Sequence, residues 1–106
     1  MIRVYVAGPY SKGDPVINVR TAIDAANRLL ELGYAPYIPH LTMFWHLVYA
    51  QPYEKWLELD FEWIKQCDIL LRLPGESSGA DREVVVALEN GLDVYYSIED
   101  IIAHSP

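Results

Sequence analysis

Asp68-Ile69-Leu70-Leu71-Arg72-Leu73-Pro74 is the stretch from which the fold is read. Apolar residues run almost unbroken through it, the pattern of a strand covered on both faces, as strands of parallel sheets are. A Gly/Ser loop follows at Gly75 to Gly79, then a helix over Ala80 to Asn90 with Gly91 where a C-terminal cap belongs. Val94 to Ile98 reads as a fourth strand and Glu99 to Ala103 as a last helical turn. Upstream, Pro52 opens a helix that runs to Cys67, proline being favoured in a first turn. His40 to Gln51 is apolar and aromatic without clean periodicity, and reads as a loop or a short irregular helix. Tyr34 to Ile38 reads as the second strand, closed by Pro39. Val19, Ala22, Ile23, Ala26, Leu29 and Leu30 give a helical period that starts at Asn18 and stops at Gly33. Arg3 to Ala7 is the first strand, followed by Gly8-Pro9 and the polar loop Tyr10 to Pro15.

Strands alternating with helices predict an α/β fold with right-handed crossovers. The expected architecture is one domain over residues 1–106, a flavodoxin-like or Rossmann-like three-layer sandwich with a parallel sheet of four to five strands. Such sheets bind ligands beyond the carboxyl ends of their strands, where the strand order reverses. Those ends carry Gly8 to Gly13, Pro39 to Trp45 and Gly75 to Gly79, so all three loops are candidates to line one cleft.

Composition narrows the partner. The 106 residues suffice for a single core, and a hydrophobic content of 52% excludes disorder. Eight Lys and Arg against fifteen Asp and Glu give a net charge of −7, opposite in sign to a chain that grips nucleic-acid phosphates. A small molecule is the expected partner, not a nucleic-acid polymer. No apolar run approaches the roughly 18–20 residues of a membrane span, so no membrane partner is expected. The N-terminus reads at once as a strand, without a basic leader. Cys67 stands alone, which forbids an internal disulfide and fits a reducing, cytoplasmic setting. So small a domain rarely builds a deep pocket by itself, and a homo-oligomer with a shared active site is expected.

Two carboxylates stand out. In the Pro52 to Cys67 helix, Tyr53, Trp56, Leu57, Trp63, Ile64 and Cys67 fall on one stripe at 100° per residue, and Asp60 projects from its middle. A buried carboxylate must be paired, hydrogen-bonded or protonated. It is either a structural cap for a nearby loop or an acid with a raised pKa at the edge of a cleft. Glu83 is expected in the first turn of the third helix, where the helix dipole alone would justify it. The preceding Ser77-Ser78-Gly79 adds a second clue, since hydroxyls and free amides at a helix start hold phosphate or sugar oxygens.

The other loops exclude more than they assign. Gly8 to Gly13 lacks the Lys-Ser/Thr pair of a phosphate-binding Walker loop and the GxGxxG of a dinucleotide fold, so no cofactor is expected. Ser11 and Gly13 are candidate donors to a small anion. His40 and His46 do not match metal-ligand spacings, and no metal is expected. Phe44-Trp45 is either core or a surface on which a base stacks.

Taken together these positions resemble the nucleoside 2-deoxyribosyltransferase superfamily, including its 2′-deoxynucleoside 5′-phosphate N-hydrolase branch. Val4-Tyr5-Val6-Ala7-Gly8 looks like the family's first strand, whose tyrosine contacts the catalytic glutamate; Tyr5 matches it. Asp60, in Asp60-Phe61-Glu62-Trp63-Ile64, matches the aspartate on the helix before the third strand. Glu83, at the end of Ser77-Ser78-Gly79-Ala80-Asp81-Arg82-Glu83, matches the nucleophile. Six residues before it, transferases acting on free nucleosides tend to carry an aspartate and monophosphate hydrolases a serine; this chain has Ser77. The hydrolases also place an arginine or further donors in the first loop, where this chain has Ser11, Lys12 and Gly13. The chain is shorter than typical members, and for the family's C-terminal contributions from a neighbouring subunit the sequence points only to Tyr96 and Ser97.

The resemblance implies cleavage of the N-glycosidic bond of a nucleoside 5′-monophosphate or (deoxy)nucleoside through a glycosyl-enzyme intermediate, with hydrolysis ahead of base exchange. Glu83 would attack C1′, Asp60 would protonate the leaving base and Tyr5 would orient Glu83. Gly8, Ser11, Gly13, Ser77, Ser78, Gly79, Phe44 and Trp45 would bind substrate. The alternatives are a deoxyribosyltransferase proper, or a nucleotide sensor of the same fold without turnover.

Overall fold

A computed structural model describes residues 1–105. The chain runs β1 (Arg3–Ala7), α1 (Pro15–Glu31), β2 (Ala35–Tyr37), a 3₁₀ turn (Pro39–Leu41), α2 (Thr42–Val48), α3 (Tyr53–Ile64), β3 (Ile69–Arg72), α4 (Ser78–Glu89), β4 (Asp93–Tyr95) and α5 (Ile98–His104). All pairings are parallel and the sheet order is β2-β1-β3-β4. The chain steps from β1 outward to β2, then returns to the other side of β1, so the order reverses between β1 and β3. The ligand crevice of this topology opens there.

The period of two along each strand builds the layers. Val4, Val6, Ile69 and Leu71 pack against Ala22, Ala26 and Leu29 of α1 and Ile98 and Ile101 of α5. Tyr5, Ala7 and Leu70 face the other way, onto Ile64 of α3 and Ala80 and Ala87 of α4. Both faces of the sheet are thus covered, which is why β3 is apolar at nearly every position. The three-layer α/β reading of the sequence holds, with four strands in the sheet.

Several boundaries move, each for a capping reason. Helix α1 starts at Pro15 instead of Asn18, because the Asp14 carboxylate accepts from Val16 N–H at 2.9 Å and Ile17 N–H at 3.4 Å. Helix α4 starts at Ser78 instead of Ala80, since Ser77 Oγ accepts from Ala80 N–H at 3.1 Å. Ser78 and Gly79 are therefore helical, not loop. Ser97 caps α5 in the same way and draws Ile98 out of the fourth strand into the helix. Pro52 is the cap residue of α3, and the helix closes at Ile64. The expected apolar stripe of α3 narrows to Leu57, Asp60 and Ile64, with Tyr53 and Trp63 exposed. The aromatic segment after β2 forms the 3₁₀ turn and α2, which buries none of its own residues. Among the described residues no helix is long and apolar enough to cross a membrane.

Candidate active site

Three polar side chains converge on the α3/α4 face of the sheet. Tyr5 comes from β1, Asp60 from α3 and Glu83 from α4, with exposures of 0%, 8% and 4%. The Tyr5 hydroxyl donates to Glu83 Oε2 at 2.5 Å, and Asp60 and Glu83 hydrogen-bond each other. Glu83 is not in the first turn, where its sequence position had suggested it. With Ser77 as cap it occupies the second turn and shares the inward face of α4 with Ala80 and Ala87; the first-turn acid is Asp81. The helix dipole therefore does not account for Glu83.

Burial sets the electrostatics. It pushes Glu83 up to about 8, with the Asp60 charge adding to the rise, while the Tyr5 hydroxyl and the Arg72 cation pull the other way. Burial likewise raises Asp60 to about 6, against hydrogen bonds from Glu83 and Tyr5. Tyr5 itself is held well above its ordinary value by burial and by both carboxylates, so it stays a proton donor. Two carboxyl groups in contact in a dry site hold one proton between them near neutrality.

Arg72 was not singled out by its sequence. It lies on β3 on the same side as Leu70, and its guanidinium is buried beneath the start of α4. Nη1 donates to Leu73 O, and Nη2 donates to Gly75 O at 2.9 Å and to Asp81 Oδ1 at 3.0 Å. The turn before α4 and the first turn of the helix are thereby tied to the sheet. A charge inside an otherwise apolar strand was the signal available, by the same logic that exposed Asp60.

Above the carboxylates lies a cleft of about 430 Å³, bounded by Gly8, Ser11, Ser77, Ser78, Gly79, Asp60 and Glu83. Tyr5 does not line the cleft and meets it only through its hydrogen bond to Glu83. Two of the glycines mark close approaches. A Cβ on Gly8 would stand 3.0 Å from Leu73 Cβ, and one on Gly79 would stand 2.7 Å from the Tyr53 hydroxyl. The amides of Ser78 and Gly79 belong to the first turn, which lacks intrahelical acceptors.

Three expected binding residues do not reach this cleft. Phe44 and Trp45 are 66% and 53% exposed and do not line it. On α2 the positions facing the cleft are Thr42 and His46, four apart, which turns 44 and 45 away. Trp45 instead packs edge-on to Trp56, with ring centroids 5.1 Å apart, and lines a separate groove beside Tyr37 and Trp63. Gly13 is also outside, because its loop bends off towards the Asp14 cap at a positive φ of 81°. Missed by the sequence reading were the cleft-lining Gln51, Tyr53 and Trp56. Trp56 was discoverable, since it precedes Asp60 by one helical turn on the same face.

His40 joins the first loop to the turn after β2. Its Nε2 lies 3.0 Å from Pro9 O, and burial lowers its pKa, keeping the ring neutral. Among the described residues no group of three or more His, Cys, Asp or Glu side chains is placed to hold a metal.

Residues 2–96 match DUF4406, described as a domain of unknown function. The chain belongs to this family. No curated protein matches it. Among solved structures, the DUF4406 chain is similar to a 2-deoxyribosyltransferase from Bacillus psychrosaccharolyticus, at a TM-score of 0.65 and 21% identity over 87% of this chain and 69% of that one. It is also similar to a 2-desoxiribosyltransferase from Leishmania mexicana, at a TM-score of 0.60 and 18% identity over 89% of this chain. It spans 62% of the length of that protein. These likenesses establish a shared fold, the one that the sequence resemblance implied.

Proposed function

We propose that the cleft cleaves the N-glycosidic bond of a nucleoside 5′-monophosphate or (deoxy)nucleoside through a glycosyl-enzyme intermediate. The observation that carries this reading is the meeting of the buried Asp60 and Glu83 carboxyl groups at the cleft, with Tyr5 donating to Glu83 from behind. Burial leaves the shared proton on Glu83 at rest, and its transfer to Asp60 across their hydrogen bond leaves Glu83 ionised and steadied by Tyr5. Glu83 attacks C1′, the C1′–N bond breaks with its electron pair going to the base, and Asp60 delivers the proton to that base. Water then attacks C1′, gives its proton to Asp60 and frees Glu83. Inverting glycosidases hold their carboxyl groups roughly 6.5–9.5 Å apart to admit a water. The direct contact of Asp60 with Glu83 favours the covalent route instead.

Ser77, Ser78, Gly79, Ser11 and Lys12 line the same cleft and suit a 5′-phosphate. Ser77 Oγ accepts from Ala80 N–H and keeps its own proton to donate. A phosphorylated substrate with water as acceptor is therefore the reading we adopt. Base exchange is the second reading, favoured by the names of both structural neighbours. A sensor without turnover is disfavoured, since a pair of buried carboxyl groups costs stability above the pH at which they share a proton and recognition alone does not need it. The free Cys67 thiol fits a reducing, cytoplasmic setting. The open cleft and the uncovered α2 beside it fit a homo-oligomer that shares the site, which light scattering on the purified protein checks.

The test is to incubate the protein with nucleosides and their 5′-monophosphates and to separate free base by chromatography. Base release with sugar phosphate as co-product is expected. A new nucleoside on adding a second base indicates transfer, and no release from any substrate rejects the reading.

A further inference from the structure

His46 accepts two hydrogen bonds at Nδ1, from Trp56 Nε1 at 2.8 Å and from the Gln51 N–H at 3.2 Å. A ring nitrogen that accepts cannot carry the proton, so the neutral imidazole is held as its Nε2–H tautomer. The ring plane is fixed as well: Trp56 lies edge-on to it at 5.7 Å and is itself braced edge-on by Trp45. Nε2 has no partner among the described residues and is not sealed from solvent. His46, Trp56 and Gln51 all line the cleft, which thus receives a donor whose chemistry and orientation are both set.

Topology places this donor relative to the carboxylates. Helix α2 follows β2 and the Ser77 turn follows β3, and those strands flank β1 on opposite sides. His46 therefore stands across the cleft from the anion-binding turn. Trp56 and Asp60 share one face of α3, a single turn apart. A nucleotide with its phosphate at Ser77 and C1′ at Glu83 directs its base past Asp60 towards His46.

We infer that His46 is a specificity residue: its Nε2–H donates to a carbonyl oxygen of the nucleobase and so selects oxo-bases over their amino counterparts. A neutral donor meets a carbonyl lone pair favourably, whereas an exocyclic amino group opposes donor to donor and leaves both desolvated groups unpaired. The Trp56 indole acts through His46 as a positioning group, because losing its N–H frees Nδ1 to take the proton. The inference rests on the nucleotide reading of the cleft.

The test uses the folded Glu83→Gln protein, expected to bind without turnover, and two pairs of probes. These are nucleoside 5′-monophosphates carrying hypoxanthine against adenine, and uracil against cytosine. The oxo member of at least one pair is expected to bind about tenfold or more tightly. His46→Phe should level that pair to within about twofold, and Trp56→Phe should reduce the preference. Nitrogen-15 NMR of the ligand-free wild-type ring should show an unprotonated Nδ1 and a protonated Nε2, and this readout stands even where a variant fails to fold. Equal binding within both pairs, a preference that survives His46→Phe, or a protonated Nδ1 would each overturn the inference. Base release without any oxo preference would reject it while sparing the glycosidase reading; no nucleotide binding and no base release would reject both.

Discussion

Tyr5 donates a 2.5 Å hydrogen bond from strand β1 to Glu83 Oε2, and both groups are shielded from solvent. The bond has two consequences: it fixes the rotamer of Glu83, and it stabilises the ionised carboxylate that burial opposes. Tyr5→Phe removes the hydroxyl and keeps the ring. Activity should fall by about 10–100-fold, as expected for a charge-assisted bond of about 1.5–3 kcal/mol. The pKa of Glu83 should rise, and pH–rate profiles of the variant and the wild type check both effects.

The shared proton gives a bell-shaped pH dependence. The active pair carries one proton, so kcat/KM should peak between the two apparent values of about 6 and about 8. Asp60→Asn removes the acid and the neighbouring charge together. Turnover should drop by about 10²–10⁴-fold, and the Glu83 titration should move down in pH, which carboxyl carbon-13 NMR can follow.

Stability should fall steadily across the pH range in which activity rises and then falls. Both carboxyl groups have folded pKa values above their unfolded ones, so the folded state binds more protons. Their favourable contribution is fully present below about 4 and is lost as pH rises through about 6 and then about 8. Glu83→Gln should therefore stabilise the protein by about 2–4 kcal/mol at pH 9 relative to its effect at pH 4. Urea unfolding of both proteins at the two pH values measures the difference.

Arg72 ties Leu73, Gly75 and Asp81 together from a buried position, whereas Asp81 itself is open to water. Arg72→Met should cost about 2–4 kcal/mol by stranding the carbonyl acceptors. Asp81→Asn should cost under about 1 kcal/mol, because its partner keeps the two carbonyls. Thermal unfolding of the two variants side by side tests the asymmetry.

Lys12 lines the cleft and pairs with Glu76 at 3.0 Å, and both groups are solvated. A 5′-phosphate on the Ser77 side should compete with Glu76 for that cation. Lys12→Ala should raise KM for a nucleoside 5′-monophosphate by about 3–10-fold and leave the free nucleoside unaffected, while Glu76→Gln should lower it. Added salt should shrink both effects.

The sheet was legible in the sequence because β3 and β1 are apolar at positions that face opposite layers, which only a doubly covered strand requires. Asp60 was legible for the converse reason, as a charge on an apolar stripe. Helix starts were read late at Asp14, Ser77 and Ser97, where a capping side chain replaces the first helical bonds and the polar residue looks like loop. Phe44 and Trp45 misled because α2 has no buried face of its own, so hydrophobicity did not mark which side meets the cleft. His46 carried no signal alone. Its role follows from Trp56 and Gln51, partners that only the turn between α2 and α3 brings to it.

The nucleophilic role of Glu83 is tested most directly by the rate of base release from a deoxynucleoside 5′-monophosphate at pH 7, measured for the wild type and for Glu83→Gln. The amide introduced by that substitution can still accept from Tyr5 and preserves the packing, so the comparison isolates the carboxylate. The expected result is a fall of about 10³-fold or more, with the variant folded. Base release by Glu83→Gln at a rate near that of the wild type contradicts the assignment.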